Sequence, residues 1–207
     1  FRYIFFHTGP LAGGPSPAGA FLKSSATKSR PDIQLHFLPL SLQRPGVLDT
    51  FSGYTFNVSQ SRPLSRGEIN IISPHPCDPP EIVANYLEDP FDKLTLINGM
   101  NVARKIGNAT AFDQFRASEE RPGSSVNSYI EMLNYVRENS TSLYHPVGTC
   151  RMGADDTAVV DQYLRVKGIN GLRVADASIM PQIISGNTNA ATIMIAERAA
   201  DFIKFGK

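Results

Sequence analysis

The chain has 207 residues, 42% of them hydrophobic and 19% charged, with a formal net charge of +1. That length can bury a core in one or two compact units. A near-neutral balance without a Lys/Arg stripe excludes an electrostatic nucleic-acid binder, and no apolar run is long enough to span a bilayer.

The first residues, Phe1-Arg2-Tyr3-Ile4-Phe5-Phe6, are apolar but too short for the layout of a signal peptide, and no initiating Met precedes them. The chain is therefore expected to begin inside a longer protein. Residues 1–31 are rich in Gly, Pro and Ser, densest from Gly9-Pro10-Leu11 to Pro17, and read as a long loop. Ile33-Gln34-Leu35-His36-Phe37-Leu38 then alternates as a half-buried strand does, with His36 on the less apolar face as a sheet-surface histidine. Residues 54–59 and 67–72 share that period, with Ser65-Arg66-Gly67 as the turn between them. Three strands joined by turn-rich loops predict an α+β fold, an antiparallel sheet with helices packed on one side.

Pro74-His75-Pro76-Cys77-Asp78-Pro79-Pro80 places a histidine and a cysteine two apart. That spacing fits no usual zinc pattern, and the prolines favour a rigid surface loop, so no metal site is expected. A helix is predicted over 92–106, with Leu96, Met100 and Ala103 on one face and Gly99 as its weak point. A second helix begins after Ser128: Ser128-Tyr129-Ile130-Glu131 fits a capping box, and Tyr129, Met132, Leu133 and Val136 follow helical spacing. Arg121-Pro122-Gly123 separates the two. Cys77 and Cys150 make no disulfide framework and read as free thiols. Asn57-Val58-Ser59, Asn108-Ala109-Thr110 and Asn139-Ser140-Thr141 fit the glycosylation pattern. Chance matches of that kind leave the compartment open.

The last third is the densest in chemistry. Tyr144-His145-Pro146-Val147-Gly148-Thr149-Cys150-Arg151-Met152-Gly153 presents a histidine on a loop, between a tyrosine and a proline. Leu172-Arg173-Val174-Ala175 reads as a short strand, followed by Asp176-Ala177-Ser178-Ile179-Met180-Pro181 and a turn rich in Gly and Asn. A final helix follows, with Thr192, Ile195, Ala196, Ala199, Phe202 and Ile203 as one apolar face. Asn187 to Asn189 then lie at its N-terminus, where unpaired N–H groups favour an anion; equally, Asn187 could simply cap the helix. Asp176 could likewise just cap the turn that follows it.

These segments, in this order, resemble the C-terminal portion of the glucose–methanol–choline (GMC) flavin oxidoreductases, especially the choline-dehydrogenase-like and other alcohol-oxidising members. The resemblance rests on His-Pro-Val-Gly-Thr-Cys-Arg-Met-Gly from His145, on Arg-Val-Ala-Asp-Ala-Ser-Ile-Met-Pro from Arg173, and on Gly-Asn-Thr-Asn-Ala-Ala-Thr-Ile-Met-Ile-Ala-Glu from Gly186. Weaker pieces continue upstream: Ala18-Gly19-Ala20-Phe21-Leu22 as a strand of the substrate domain, and Asn85-Tyr86-Leu87 through Asp89-Pro90 leading into a helix.

The resemblance implies a substrate-binding domain over 1–140, then a segment over 141–207 whose strand and helix belong to the FAD-binding domain. It implies that His145 is the base taking the hydroxyl proton of an alcohol while hydride leaves for flavin N5, with Asn189, 44 residues on, holding the substrate oxygen. It places Asp176, Ala177, Asn187 and Ala190 at the cofactor, and Leu143 and Tyr144 at the substrate. Cys150 becomes a packed thiol with no nucleophilic role. The cofactor is FAD, and the partners are an alcohol and then oxygen or a quinone-type acceptor. The family's Gly-x-Gly-x-x-Gly dinucleotide fingerprint does not occur in these residues. The chain alone is therefore expected to be incomplete and inactive. A cyanohydrin-type lyase, or a truncated, non-catalytic module on the same scaffold, stays open beside the redox reading.

Overall fold

Alternating burial along the second strand organises the first compact unit, which comprises the residues up to Gln60 together with Pro90–Ser140. The structure, a computed structural model, describes residues 2–9, 12–44 and 46–206. Phe1, and Pro10 and Leu11 of the Gly-Pro-Leu segment, lie outside the described residues. The reading of 1–31 as loop gains a short helix, α1 (Arg2–Phe6), and ends in β1 (Ala18–Leu22). Strand β2 (Ile33–Leu38) pairs antiparallel with β1 on one side and with β5 (Thr55–Gln60) on the other. The sheet order is thus β1-β2-β5. Between β2 and β5 the chain makes a small hairpin, β3 (Leu42–Arg44) with β4 (Val47–Leu48). Asp49 at its end accepts a bidentate pair from Arg121 and a hydrogen bond from the Ser41 hydroxyl.

Ile33 and Leu35 are buried, and Phe37 on the same face stacks with Phe56, Tyr54 and Phe112. Helix α2 (Pro90–Gly107) covers this face. It starts with Pro at its first position and Asp92 in its first turn, both suited to a helix N-terminus. Its most buried stripe is not Leu96, Met100 and Ala103 but Asp92, Thr95, Gly99 and Ala103; Leu96 and Met100 are half-buried. The reason is distance. A Cβ at Gly99 would stand 2.6 Å from Val58 Cγ1, so small side chains let the helix axis approach the sheet. Asp92, 1% exposed, accepts a 2.7 Å hydrogen bond from the Gln60 amide, which satisfies part of its acceptor capacity.

Helix α3 (Tyr129–Asn139) packs beside α2 through Met132 and Val136. Its capping box forms: Ser128 Oγ accepts from the Glu131 N–H, and the Glu131 carboxylate accepts from the Ser128 N–H. Those donors hold the Glu131 carboxyl below the usual range, the Ser128 backbone N–H contributing most. Tyr129 turns outward at 49% exposure instead of joining the apolar stripe.

The strand read at 67–72 does not extend this sheet. It forms β6 (Glu68–Asn70), which pairs antiparallel with β7 (Glu81–Val83) across the exposed, proline-rich turn that holds His75 and Cys77. The nearest pairing partner is local, and the sheet's third place is filled by β1. This ribbon belongs to the second compact unit, Ser61–Asp89 with Thr141–Lys207. The two units thus differ from a division at 140/141 in one segment, 61–89.

The second unit carries little regular structure beyond the ribbon and α4 (Asn189–Lys204). Its core is Val160, Leu164, Ile179, Met180, Ile195 and Ala199, with Val147, Met152, Val174 and Phe202 packed around it. Of the apolar face expected on α4, Ile195 and Ala199 are buried, while Ala196 is exposed and Ile203 is 66% exposed. Arg173-Val174 is a single antiparallel bridge, Arg173 to Arg165, rather than a strand. Among the described residues, two backbone bonds, Val174 N to Leu164 O and Val166 N to Leu172 O, hold this stretch against 164–166. Among the described helices, none is long and apolar enough to cross a membrane.

Candidate active site

Two sequence segments far apart in the chain are joined here by backbone hydrogen bonds. Residues Ala177–Ile179 form a 3₁₀ turn capped by Asp176, whose carboxylate accepts from Ser178 N at 2.8 Å. The carbonyls of that turn then receive the histidine loop. Gly148 N and Cys150 N both donate to Ser178 O, at 3.0 and 3.1 Å, and Met152 N donates to Ile179 O at 2.8 Å. Gly148 has φ +95°, a conformation that a side chain strains, and it lets the loop bend back onto the turn. Cys150 is a half-buried free thiol and Cys77 an exposed one.

His145 projects from this loop, half-buried. Its Nδ1 lies 3.1 Å from Tyr144 O and 3.2 Å from Thr188 Oγ1, while its Nε2 lies 3.0 Å from Asn187 Nδ2. A carbonyl oxygen can only accept, so the Tyr144 contact favours the proton on Nδ1 and the lone pair on Nε2. The Asn187 amide donates to that lone pair. Contacts on both sides of the ring thus suit that tautomer, in which Nε2 is the proton-accepting nitrogen. Tyr144 adopts φ +60°, unusual for an aromatic residue, and is 79% exposed; Leu143 is 41% exposed.

Thr188 is the N-cap of α4, displacing the cap that Asn187 could have supplied. Its hydroxyl makes no bond to the helix because it faces the imidazole instead. The first-turn N–H groups of α4 are consequently left without a side-chain cap. Asn189 and Ala190 sit in that first turn, both exposed, and Asn189 is not among the partners of His145. Asp176 is exposed and Ala177 half-buried against the core. The structure thus brings His145, Asn187 and Thr188 together. Neither Thr188 nor the Asn187 contact was foreseen; Asn-Thr-Asn offers three polar candidates within one turn, and only tertiary distance separates them.

Further along, Arg151 and Asp155 form a bidentate pair, at 2.9 and 2.5 Å, that shapes the loop after the histidine. The hydrogen bonds from Arg151 and from Thr157 hold the Asp155 carboxyl far below its usual range. Asp161 is also lowered: burial pushes it up, but bonds from the Arg165 side chain, Arg165 N and Tyr163 N outweigh that. None of these pairs reaches the imidazole.

The sequence model of the family described as GMC oxidoreductase matches residues 63–196, which include the whole His145 cluster. The chain belongs to that family. Within the GMC oxidoreductases it is 45% identical over 204 residues to an alcohol dehydrogenase [acceptor] of Pseudomonas putida, covering 98% of this chain and 37% of that protein. It is 40% identical over 205 residues to an oxygen-dependent choline dehydrogenase of Brucella anthropi, again covering 98% and 37%. Among solved structures it is similar to pyridoxine 4-oxidase from Mesorbium loti, with TM-score 0.84 and 30% identity, over 92% of this chain and 38% of that one. An FAD-dependent oxidoreductase from Chaetomium thermophilum aligns with TM-score 0.73 and 32% identity, over 86% of this chain and 29% of that one. The chain thus spans little more than a third of the length of the curated relatives it matches.

Proposed function

We propose that this chain supplies the proton-accepting part of an FAD-dependent alcohol oxidoreductase that converts a CH–OH group to C=O. The observation that carries the proposal is the pair of contacts on the His145 ring, Nδ1 3.1 Å from Tyr144 O and Nε2 3.0 Å from the Asn187 amide, which suit a proton on Nδ1 and a lone pair on Nε2. A neutral imidazole so oriented is a ready acceptor for a hydroxyl proton. An alcohol hydroxyl would take the place that the Asn187 amide occupies at Nε2. The same amide could then donate to the alcohol oxygen and stabilise negative charge developing there. Asn189, in the first turn of α4, is proposed to hold the substrate oxygen, with Asn187 as the amide that touches the ring.

The donor set at α4 fits FAD. Its first-turn N–H groups, at Asn189 and Ala190, lack a side-chain cap and suit an electron-rich ring edge. Asp176 and Ala177 would hold another part of the cofactor, and Leu143 and Tyr144, both exposed, would meet the substrate. Bound FAD supplies a two-electron acceptor for the hydride leaving the alcohol carbon. The Gly-x-Gly-x-x-Gly fold expected to bind most of the cofactor is not among these residues, so turnover belongs to a polypeptide or assembly that provides it. The relatives' names divide between a generic acceptor and oxygen, and electrons pass onward to one of these two classes. They are oxidoreductases, which favours redox chemistry over a lyase.

The test is anaerobic flavin reduction by an alcohol in the FAD-loaded protein. His145→Ala is expected to slow bleaching by roughly 10²–10⁴-fold, the usual contribution of a positioned base. An unchanged rate would remove the assignment.

A further inference from the structure

Residues 181–186 connect buried Met180 to the start of α4, and they take part in no backbone–backbone hydrogen bond among the described residues. Side chains from a distant part of the sequence hold this loop instead. Ser61, 7% exposed, donates through Oγ to Ser185 O at 3.0 Å. The neighbouring Arg62 guanidinium donates to the Ser185 hydroxyl. Arg62 adopts φ +59°, so the backbone at 61–62 turns in a conformation that a non-glycine residue reaches only against strain.

Ser185 lies two residues before Asn187. The loop is fixed at one end by Met180 in the core, and at the other by Thr188, whose carbonyl accepts from Thr192 N and Thr192 Oγ1. Ser185 is gripped at both its carbonyl and its hydroxyl in between. The bonds at the far side of this grip are narrow ones. Asn187 Nδ2 stands 3.0 Å from His145 Nε2 and Thr188 Oγ1 3.2 Å from Nδ1, and a separation of about 3.6 Å no longer counts as a hydrogen bond. A drift of roughly half an ångström in the loop is therefore enough to lose the Asn187 bond.

We propose that Ser61 and Arg62 are positioning residues that hold Ser185, and through it place Asn187 against His145. The proposal rests on the His145–Asn187 assignment made above. It predicts that the tautomer of His145 depends on side chains that never touch the ring. Without the Asn187 donor, Nε2 loses that hydrogen bond while Tyr144 O still faces Nδ1, so the preference for the Nδ1–H form weakens and the second neutral form gains population.

The ring-nitrogen signals of ¹⁵N-histidine in the full 207-residue chain read this directly, with His145→Gln used to assign its pair. Wild type is expected to show one protonated nitrogen, Nδ1, and one unprotonated, Nε2. Ser61→Ala, Arg62→Ala and Ser185→Ala should each move both signals toward averaged positions, as Asn187→Ala does. Arg62→Lys should return them part of the way. Ser185→Ala leaves the strained backbone at 61–62 untouched, so it answers even if the other two variants fold poorly. Signals that superimpose on wild type in Ser61→Ala and Ser185→Ala would overturn the proposal. If Asn187→Ala also left the ring unchanged, the Asn187 contact itself would fall, and the proposal with it. Turnover is not the readout, so the role of His145 as base stands or falls separately, on flavin reduction.

Discussion

In the unit built on β2, β5, α2 and α3, order comes from repetition: alternate residues of a strand and every third or fourth residue of a helix face one core. In the unit that carries His145, the 27 residues of 153–179 hold only isolated bridges, turns and one 3₁₀ segment, and order comes from individual hydrogen bonds. The difference separates scaffold from chemistry. A periodic surface is reproducible and tolerant, but it presents side chains at fixed intervals. A histidine, an asparagine and a threonine converging on one point require a backbone that bends at will, and specific polar contacts to keep it bent.

The largest response should come from the periodic unit. Ile33 is fully buried between the sheet and α2, and Ile33→Ala is expected to cost about 2–5 kcal/mol in urea unfolding followed by helix ellipticity. A loss well under 1 kcal/mol would show that this face is not the core it resembles. Ser128→Ala should be milder, about 1 kcal/mol, because it removes one cap bond from α3 and leaves its apolar face intact. Amide exchange confined to the first turn of α3 would confirm how local the effect is.

The smallest response concerns pH, and it sharpens the contrast because it acts through single contacts. Asp155 has a depressed carboxyl pKa in the folded chain, so its stabilising contribution is present above the ordinary carboxylate value, about 4. It shrinks as pH falls below that value, because the opened state takes up a proton first, and is fully lost only once pH passes the depressed value of the folded chain. Arg151 and Asp155 are both solvent-accessible, so the effect is also screened by salt. Corrected amide-exchange protection at Val159, whose N–H donates to Arg151 O, should drop between pH 6 and pH 3. In Arg151→Met that drop should vanish; an identical drop in the variant would exclude the ion pair as its cause.

Legibility followed the same division. The strand at 33–38 and the capping box at Ser128 follow from local pattern alone, since period and cap chemistry involve only near neighbours. The ribbon partner of β6 was misplaced because pairing is a choice between surfaces that sequence does not rank. Gly99 looked like a weakness in α2, whereas its worth lies in making room for Val58, 2.6 Å from where a Cβ would stand, which no helical wheel contains. At the site, the motif order marked His145 and the start of α4 correctly as neighbours to be. It gave the substrate-oxygen role to Asn189, while the amide within reach of the imidazole is that of Asn187, less than one helical turn away.

The stretch 181–186, held by side chains without backbone bonds, has a consequence for heat. Segments with few backbone bonds open at lower free energy than the elements around them. As temperature rises, the brace at Ser185 gives way while the sheet and helices still hold, and Asn187 leaves the imidazole first. Loss of the Asn187–His145 contact should therefore precede melting, and a chain cooled before its sheet is lost should regain that contact without refolding.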